Sequence, residues 1–461
     1  MWFLTILMLL NAWADQRSVV LEYRLEFENL PINIYDVALG LGVLVSLMRR
    51  RSSPDLAPTD RAHPLLKWIF GTSLLALAAG AVGIIGNGAY FREALPPLRS
   101  FVAIPLSVYL GYAFIKNMKS ARWFMYVLVL AGLGAAVLNC LYFGSNAGTA
   151  ASQSNLNILR AINYETAYAG LAAELLIFTF VIGLRLLPTS LAVPLAGICF
   201  IGDCATLSRS EWVAIAAGVC MIYLLLPKGF QWGKVVRAAI FFPLVLLVFG
   251  WIGLLVGSEV TGTDFFGKMA GRVETLLPSS GDDVDVHAWD TRLPAATREL
   301  ELWWENPLLG QGYGIQWAES RRDGRFEFGF RHNAWTSVLA ESGIFGFATY
   351  ALVVFGMLFA GRRMVKDQWD RESVLIGALG AMAGAHVLIW GLSTLSFNEL
   401  RGAIPLGLVC GVVLKVRAIQ LTARRVASET EGAELVATEG AMAGEVPVAV
   451  VPEYPAGFGG W

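Results

Sequence analysis

The chain has 461 residues, 56% of them hydrophobic and only 15% charged, against about 45–50% and about 25% in soluble globular proteins. That balance excludes a soluble globule. A net charge of -1, from 35 basic and 36 acidic residues, excludes a nucleic-acid binder driven by bulk positive charge.

Read in windows of about 19 residues, the sequence predicts spans over 2–13, 33–48, 65–86, 98–115, 123–143, 165–184, 189–207, 211–226, 237–257, 333–360, 373–395 and 402–416. The expected fold class is therefore an all-α polytopic membrane protein of about 12 transmembrane helices, with one large external loop between spans 9 and 10. The first span is short. It ends at Ala12-Trp13-Ala14, which resembles a signal-peptidase site, yet no basic segment precedes it. The five cysteines (Cys140, Cys199, Cys204, Cys220, Cys410) lie in or beside apolar stretches and form no CxxC pair, so neither a disulfide frame nor a zinc site is indicated.

Basic residues set the orientation. Segments 49–67, 116–122, 185, 228–237, 362–371 and 415–425 carry 20 Lys and Arg, whereas the alternate short segments 14–32, 87–99, 144–162, 208–210 and 396–401 carry 7. The first set is expected inside. Segment 259–331, 73 residues long, then falls outside, and a loop of that length is where function is expected. Four regions follow: spans 1–9 over 1–258, a large periplasmic loop with short helices over 259–331, spans 10–12 over 332–417, and a cytoplasmic tail over 418–461. From Val426 onward the tail has six Glu, no Lys or Arg and many Ala, Gly and Pro, and is expected to be disordered.

Of the four histidines only His332 has polar company. It opens a span in Arg331-His332-Asn333-Ala334-Trp335, followed by Glu341, Gly343 and Gly346. A neutral imidazole at the outer boundary can take a proton from a sugar hydroxyl near neutral pH, but a capping or interfacial histidine fits the same residues. Gly343 and Gly346, three apart, would let a neighbouring helix pack closely. Arg209, in the short Ser208-Arg209-Ser210 connection, is expected at the outer headgroup level. Arg292 lies in the large loop, before Pro307-Leu308-Leu309-Gly310-Gln311-Gly312-Tyr313-Gly314. Guanidinium groups suit phosphate oxygens and stay charged at any working pH; snorkelling is the alternative for both.

These stretches carry a resemblance. His332-Asn333, nine residues, Gly343, two residues, Gly346 resembles the H[NSQ]-x9-G-x2-[GTY] signature of the O-antigen ligase and O-antigen polymerase family of bacterial membrane glycosyltransferases. Ser208-Arg209 with Trp212 is similar to that family's S-R-x-x-W element, and Arg292 with Pro307, Gly310 and Gly312 looks like its R…P-x-x-G-x-G element. Many relatives carry Trp about four residues after the loop arginine, where this chain has Ala296. Arg298 competes for the role, because Arg298, fifteen residues, Gly314 fits the R-x15-G pattern of the polymerases.

The resemblance implies a metal-independent glycosyltransferase of the bacterial inner membrane, without cofactor and with its active site facing the periplasm. Its donor would be a glycan on undecaprenyl pyrophosphate, its acceptor a growing glycan or lipid A core, and its setting the lipid bilayer. It implies Arg209 and Arg292 (or Arg298) on the donor pyrophosphate, His332 as general base, and Asn333, Glu341, Gly343 and Gly346 in support. Polymerisation of an exopolysaccharide is slightly favoured over ligation by the Arg…Pro-x-x-Gly-x-Gly element. Two other readings stand beside it. Asp283-Val284-Asp285 with His287 has the form of a metal-binding element, although a solvated turn accounts for it better. Glu174, Asp203 and His386, ionisable and inside spans, raise a proton-coupled transporter; internal pairing is the plainer account.

Overall fold

The computed structural model describes residues 1–13, 25–27, 30–32, 34–52, 63–87, 91–151, 166–206, 208–225, 259, 283–315, 318–320, 326–328, 333–368, 370–392 and 400–442. Within them lie helices α1 (Trp2–Trp13), α2 (Ile34–Ser52), α3 (Pro64–Asn87), α4 (Phe91–Phe114), α5 (Met118–Ala151), α6 (Thr166–Ile182), α7 (Thr189–Cys204), α8 (Arg209–Leu225), α9 (Asp283–Glu305), α10 (Ala334–Asp367), α11 (Arg371–Trp390) and α12 (Leu400–Met442). Six helices are long and apolar enough to cross a membrane (α3, α4, α5, α10, α11, α12), and α1, α2, α6, α7 and α8 are apolar but shorter. The predicted span 237–257 lies outside the described residues.

Helices dominate because a chain with this little charge must satisfy its backbone within each segment once lipid replaces water. Two small antiparallel pairs accompany them: β1 (Leu25–Phe27) with β2 (Leu30–Ile32), and β3 (Ala318–Ser320) with β4 (Phe326–Phe328). Both fall in segments expected to be external. A 23-residue helix, α9, occupies the large loop where short helices were expected. The tail also departs from expectation: α12 runs on to Met442, so residues 426–442 are helical rather than disordered. Good helix formers (Ala, Glu, Leu) and the Arg425–Glu429 pair at 2.7 Å, one turn apart, account for that extension.

α11 and the first half of α12, residues 402–420, form the interior of the bundle, with almost every side chain buried. α12 lies along α4, α10 along α11 and α3, and α11 along α8. Small residues permit this closeness, since apolar side chains gain nothing over lipid tails unless backbones approach. At the α4–α12 seam a Cβ on Gly411 would stand 2.1 Å from the Val108 carbonyl oxygen, and one on Gly111 2.4 Å from that of Leu408. The opposite surface of α3 is apolar and outward-facing (Trp68, Leu74, Ile85), as a lipid-facing helix requires.

Candidate functional site

The site is built around a break in α10. At Gly343 the backbone adopts φ 62° and ψ -156°, which interrupts the helix. That region of backbone space is open almost only to glycine. A regular helix would join the Ile344 N–H to the Ala340 carbonyl. Here the Ile344 N–H donates to the Pro307 carbonyl at 3.0 Å, while the Ala340 and Glu341 carbonyls accept from the Gln311 and Gly312 N–H groups at 2.7 and 2.9 Å. The loop 306–314 is thus laid into the broken turn, and its backbone takes up the polar groups the break releases. The buried Glu341 carboxylate adds a further tie, accepting from the Gly314 N–H at 3.3 Å.

Spacing explains the glycines of both motifs. A Cβ on Gly343 would stand 2.3 Å from the Leu308 carbonyl oxygen, and one on Gly310 2.6 Å from the Gly343 nitrogen. On the far side of the loop Gly312 meets α3, where its Cβ would lie 2.5 Å from the Gly83 carbonyl carbon. Tyr313, 1% exposed, is held by Phe101 of α4, with ring centroids 5.6 Å apart. The sequence suggested that Gly343 and Gly346 admit a neighbouring helix. Gly343 instead admits a loop, and Gly346 makes room for the Ser342 hydroxyl of its own helix.

The start of α10 is equally constrained. Asn333 caps the helix, its Oδ1 accepting from the Trp335 and Thr336 N–H groups at 2.9 and 3.2 Å. Glu299 of α9 reaches the same turn. Fully buried, it accepts from the Ser337 hydroxyl at 2.6 Å and from the Thr336 hydroxyl. Along α9 the buried positions Ala295, Glu299 and Leu302 follow helical spacing. Arg292 belongs to the same helix, three residues before Ala295 and seven before Glu299. Arg298 is exposed and pairs with Glu301 at 2.8 Å.

Arg209 is the first residue of α8, directly after a turn closed by hydrogen bonds: the Thr206 hydroxyl donates to the Asp203 carbonyl at 2.7 Å and accepts from the Ser208 N–H at 3.2 Å. His332 lies outside the described residues; its neighbour Asn333 marks where the chain enters α10. Asp283, Asp285 and His287 lie in the first turns of α9, so a helix stands where a solvated turn was expected. Among the described residues no group of three or more His, Cys, Asp and Glu side chains is arranged to hold a metal ion.

Sequence reasoning missed two acidic residues. Glu299 sat unremarked in a polar helix, though its spacing from Ala295 and Leu302 marks the inner face. Glu211, two residues after Arg209, joins a buried group that the sequence presented as scattered. The His386 Nδ1 lies 2.7 Å from Glu174 Oε1 and its Nε2 lies 3.3 Å from Glu211 Oε2, and all three side chains are fully buried. Asp203 is buried in the same region.

Residues 194–351 match the family model described as O-antigen ligase. No curated protein matches the chain. The matched segment runs from within α7 into α10 and contains Arg209, Arg292, Arg298, the loop 306–314, His332 and the break at Gly343.

Proposed function

From the match of residues 194–351 to the O-antigen ligase family model, we propose that the chain moves a glycan from an undecaprenyl-pyrophosphate donor onto an acceptor hydroxyl at the periplasmic face of the inner membrane. Glycan transfer in polysaccharide biosynthesis is the activity that this match supports.

One observation carries it: the Gly343 break, filled by the loop 306–314 and flanked by Glu299, ties α9 to the start of α10. Cleaving a glycosyl pyrophosphate puts growing negative charge on the leaving group, which preorganised cations stabilise best. Arg209 and Arg292 supply that charge without a metal. The acceptor hydroxyl must lose a proton as its oxygen attacks the anomeric carbon, and His332 takes it. Asn333 caps the segment of α10 that precedes the break, and Glu341 ties the loop 306–314 to it. The products are the lengthened glycan and undecaprenyl pyrophosphate. Growing polysaccharide is favoured over lipid A core as acceptor, on the Arg…Pro-x-x-Gly-x-Gly element.

The test separates binding from chemistry. His332→Ala is expected to keep affinity for undecaprenyl pyrophosphate and lose transfer, because a base acts mainly on the transition state. Transfer at the wild-type rate by this variant would remove the histidine from the mechanism.

A second reading, proton-coupled transport of a glycolipid, draws on the buried Glu174, Glu211 and His386. It predicts movement of labelled lipid across proteoliposomes that depends on a proton gradient. Glycan transfer predicts a covalent product without one.

A further inference from the structure

His386 occupies a place that the transfer chemistry leaves unused. It lies on α11 and touches two other helices, with Nδ1 2.7 Å from Glu174 Oε1 on α6 and Nε2 3.3 Å from Glu211 Oε2 in the first turn of α8. The Trp390 ring stands edge-on to it, with centroids 5.9 Å apart. Space for the group is built into the backbone. A Cβ on Gly170 would lie 2.9 Å from His386 Cε1, and one on Gly218 2.2 Å from Glu174 Oε1. Asp203, at the end of α7, is the other acidic group that faces it electrostatically.

One and a half turns further along, α11 meets the start of α10. The Ala334 N–H donates to the Gly391 carbonyl at 2.9 Å, and the Trp335 indole N–H donates to the Leu388 carbonyl at 3.3 Å. α11 therefore joins two helix starts: that of α8, where Arg209 immediately precedes Ser210 and Glu211, and that of α10, directly after His332 and Asn333.

We infer that Glu174, Glu211 and His386 are positioning residues, which hold the first turn of α8 in register with the first turn of α10 and so set Arg209, the first residue of α8, relative to the Asn333 cap. The inference deepens the proposed function and rests on its assignment of Arg209 to the donor pyrophosphate. One imidazole hydrogen-bonded to a carboxylate at Nδ1, with a second carboxylate 3.3 Å from Nε2, admits few alternative arrangements of three helices. Uncharged packing of similar volume would let them slide. Tolerance to sliding is small in a transfer site, where a misplacement of about 1 Å can cost on the order of a hundredfold in rate.

A double-mutant cycle on the full chain in nanodiscs tests this, with undecaprenyl pyrophosphate as the probe. Glu211→Gln is expected to weaken its binding about tenfold, an order of magnitude typical of a misaimed charge-assisted hydrogen bond. It should weaken it no further when Arg209→Ala is already present. Gly218→Ala, which displaces the Glu174 carboxylate without removing a charge, is expected to show the same dependence on Arg209, and it serves if Glu211→Gln fails to fold. Losses that simply add in either double variant would overturn the inference, since the group would then act independently of Arg209. Unchanged binding by Glu211→Gln, with an altered pH profile of transfer in His386→Gln, would overturn it in favour of proton movement through the cluster. Should Arg209→Ala alone leave probe binding unchanged, the assignment of Arg209 itself fails and the inference falls with it; that outcome is distinguishable because it appears in the single variant.

Discussion

Gly343 is the residue on which the site's geometry turns. Alanine there must adopt a backbone conformation that costs about 1–3 kcal/mol, and its Cβ would press to 2.3 Å from the Leu308 carbonyl oxygen. Gly343→Ala is therefore expected to lower the denaturation temperature in detergent by several degrees and to abolish transfer. Gly86→Ala, where nothing lies within 4 Å of the added carbon, should change stability by no more than about 1 kcal/mol. Equal melting temperatures for the two variants would mean that the break is not required. The two loop arginines separate at the same scale. Arg298 is exposed and engaged by Glu301, whereas Arg292 is the arginine of the R…P-x-x-G-x-G element. Arg292→Ala is expected to weaken undecaprenyl-pyrophosphate binding about thirtyfold, the equivalent of roughly 2 kcal/mol, and Arg292→Lys to restore it in part because lysine lacks the planar fork. Arg298→Ala should bind as wild type. The reverse pattern would reassign the donor contact to Arg298.

At the scale of elements, α9 is tied to α10 by Glu299, whose carboxylate serves both the Thr336 and Ser337 hydroxyls. Hydrogen bonds to a charged group contribute about 1.5–3 kcal/mol each, and removing the acceptor leaves two hydroxyls unpaired at a buried surface. Glu299→Ala is expected to release α9 from its seat, measured as faster protease cleavage near residues 293–305, together with loss of transfer. Glu301→Ala, at an exposed position, should leave both unchanged. If Glu299→Ala were cleaved no faster, the helix would be held by its apolar face, through Ala295 and Leu302, and by the loop that follows it. The loop 306–314 gives a second anchor from the same segment, made of backbone and so indifferent to most side-chain substitutions.

Across the whole molecule the Asp367 ion pairs and the Gly343 break separate along α10. Its last turn carries Asp367, which pairs with Arg417 and Arg424 of α12, and Glu372, in the first turn of α11, pairs with Arg122 of α5 at 3.1 Å. A helix of 34 residues spans roughly 50 Å, so this ion-pair group and the Gly343 break belong to opposite halves of the bundle. By the 20-to-7 distribution of basic residues the Asp367 end is expected on the cytoplasmic side. A cysteine at position 308 is expected to react with an impermeant thiol reagent added outside, and one at position 363 only after permeabilisation. The opposite labelling would move the site to the face where a flipped-out lipid-linked donor is absent.

The sequence by itself determined the helical membrane class, because apolar stretches of about 20 residues have few ways to bury their backbone in lipid. It also marked Arg209, Arg292, the Pro-x-x-Gly-x-Gly loop and the His332 motif, since each is a local pattern of residue types. The meaning of those patterns came only from tertiary structure. Gly343 reads as a packing glycine in one dimension, and its positive φ has a purpose only once the loop 306–314 fills the opened turn. Glu174, Glu211 and His386 read as three isolated polar residues, because positions 174, 211 and 386 carry no shared period. Helix packing brings them within hydrogen-bonding reach, for the physical reason that a buried charge is tolerated only beside a partner, and the partner of each lies on a different helix.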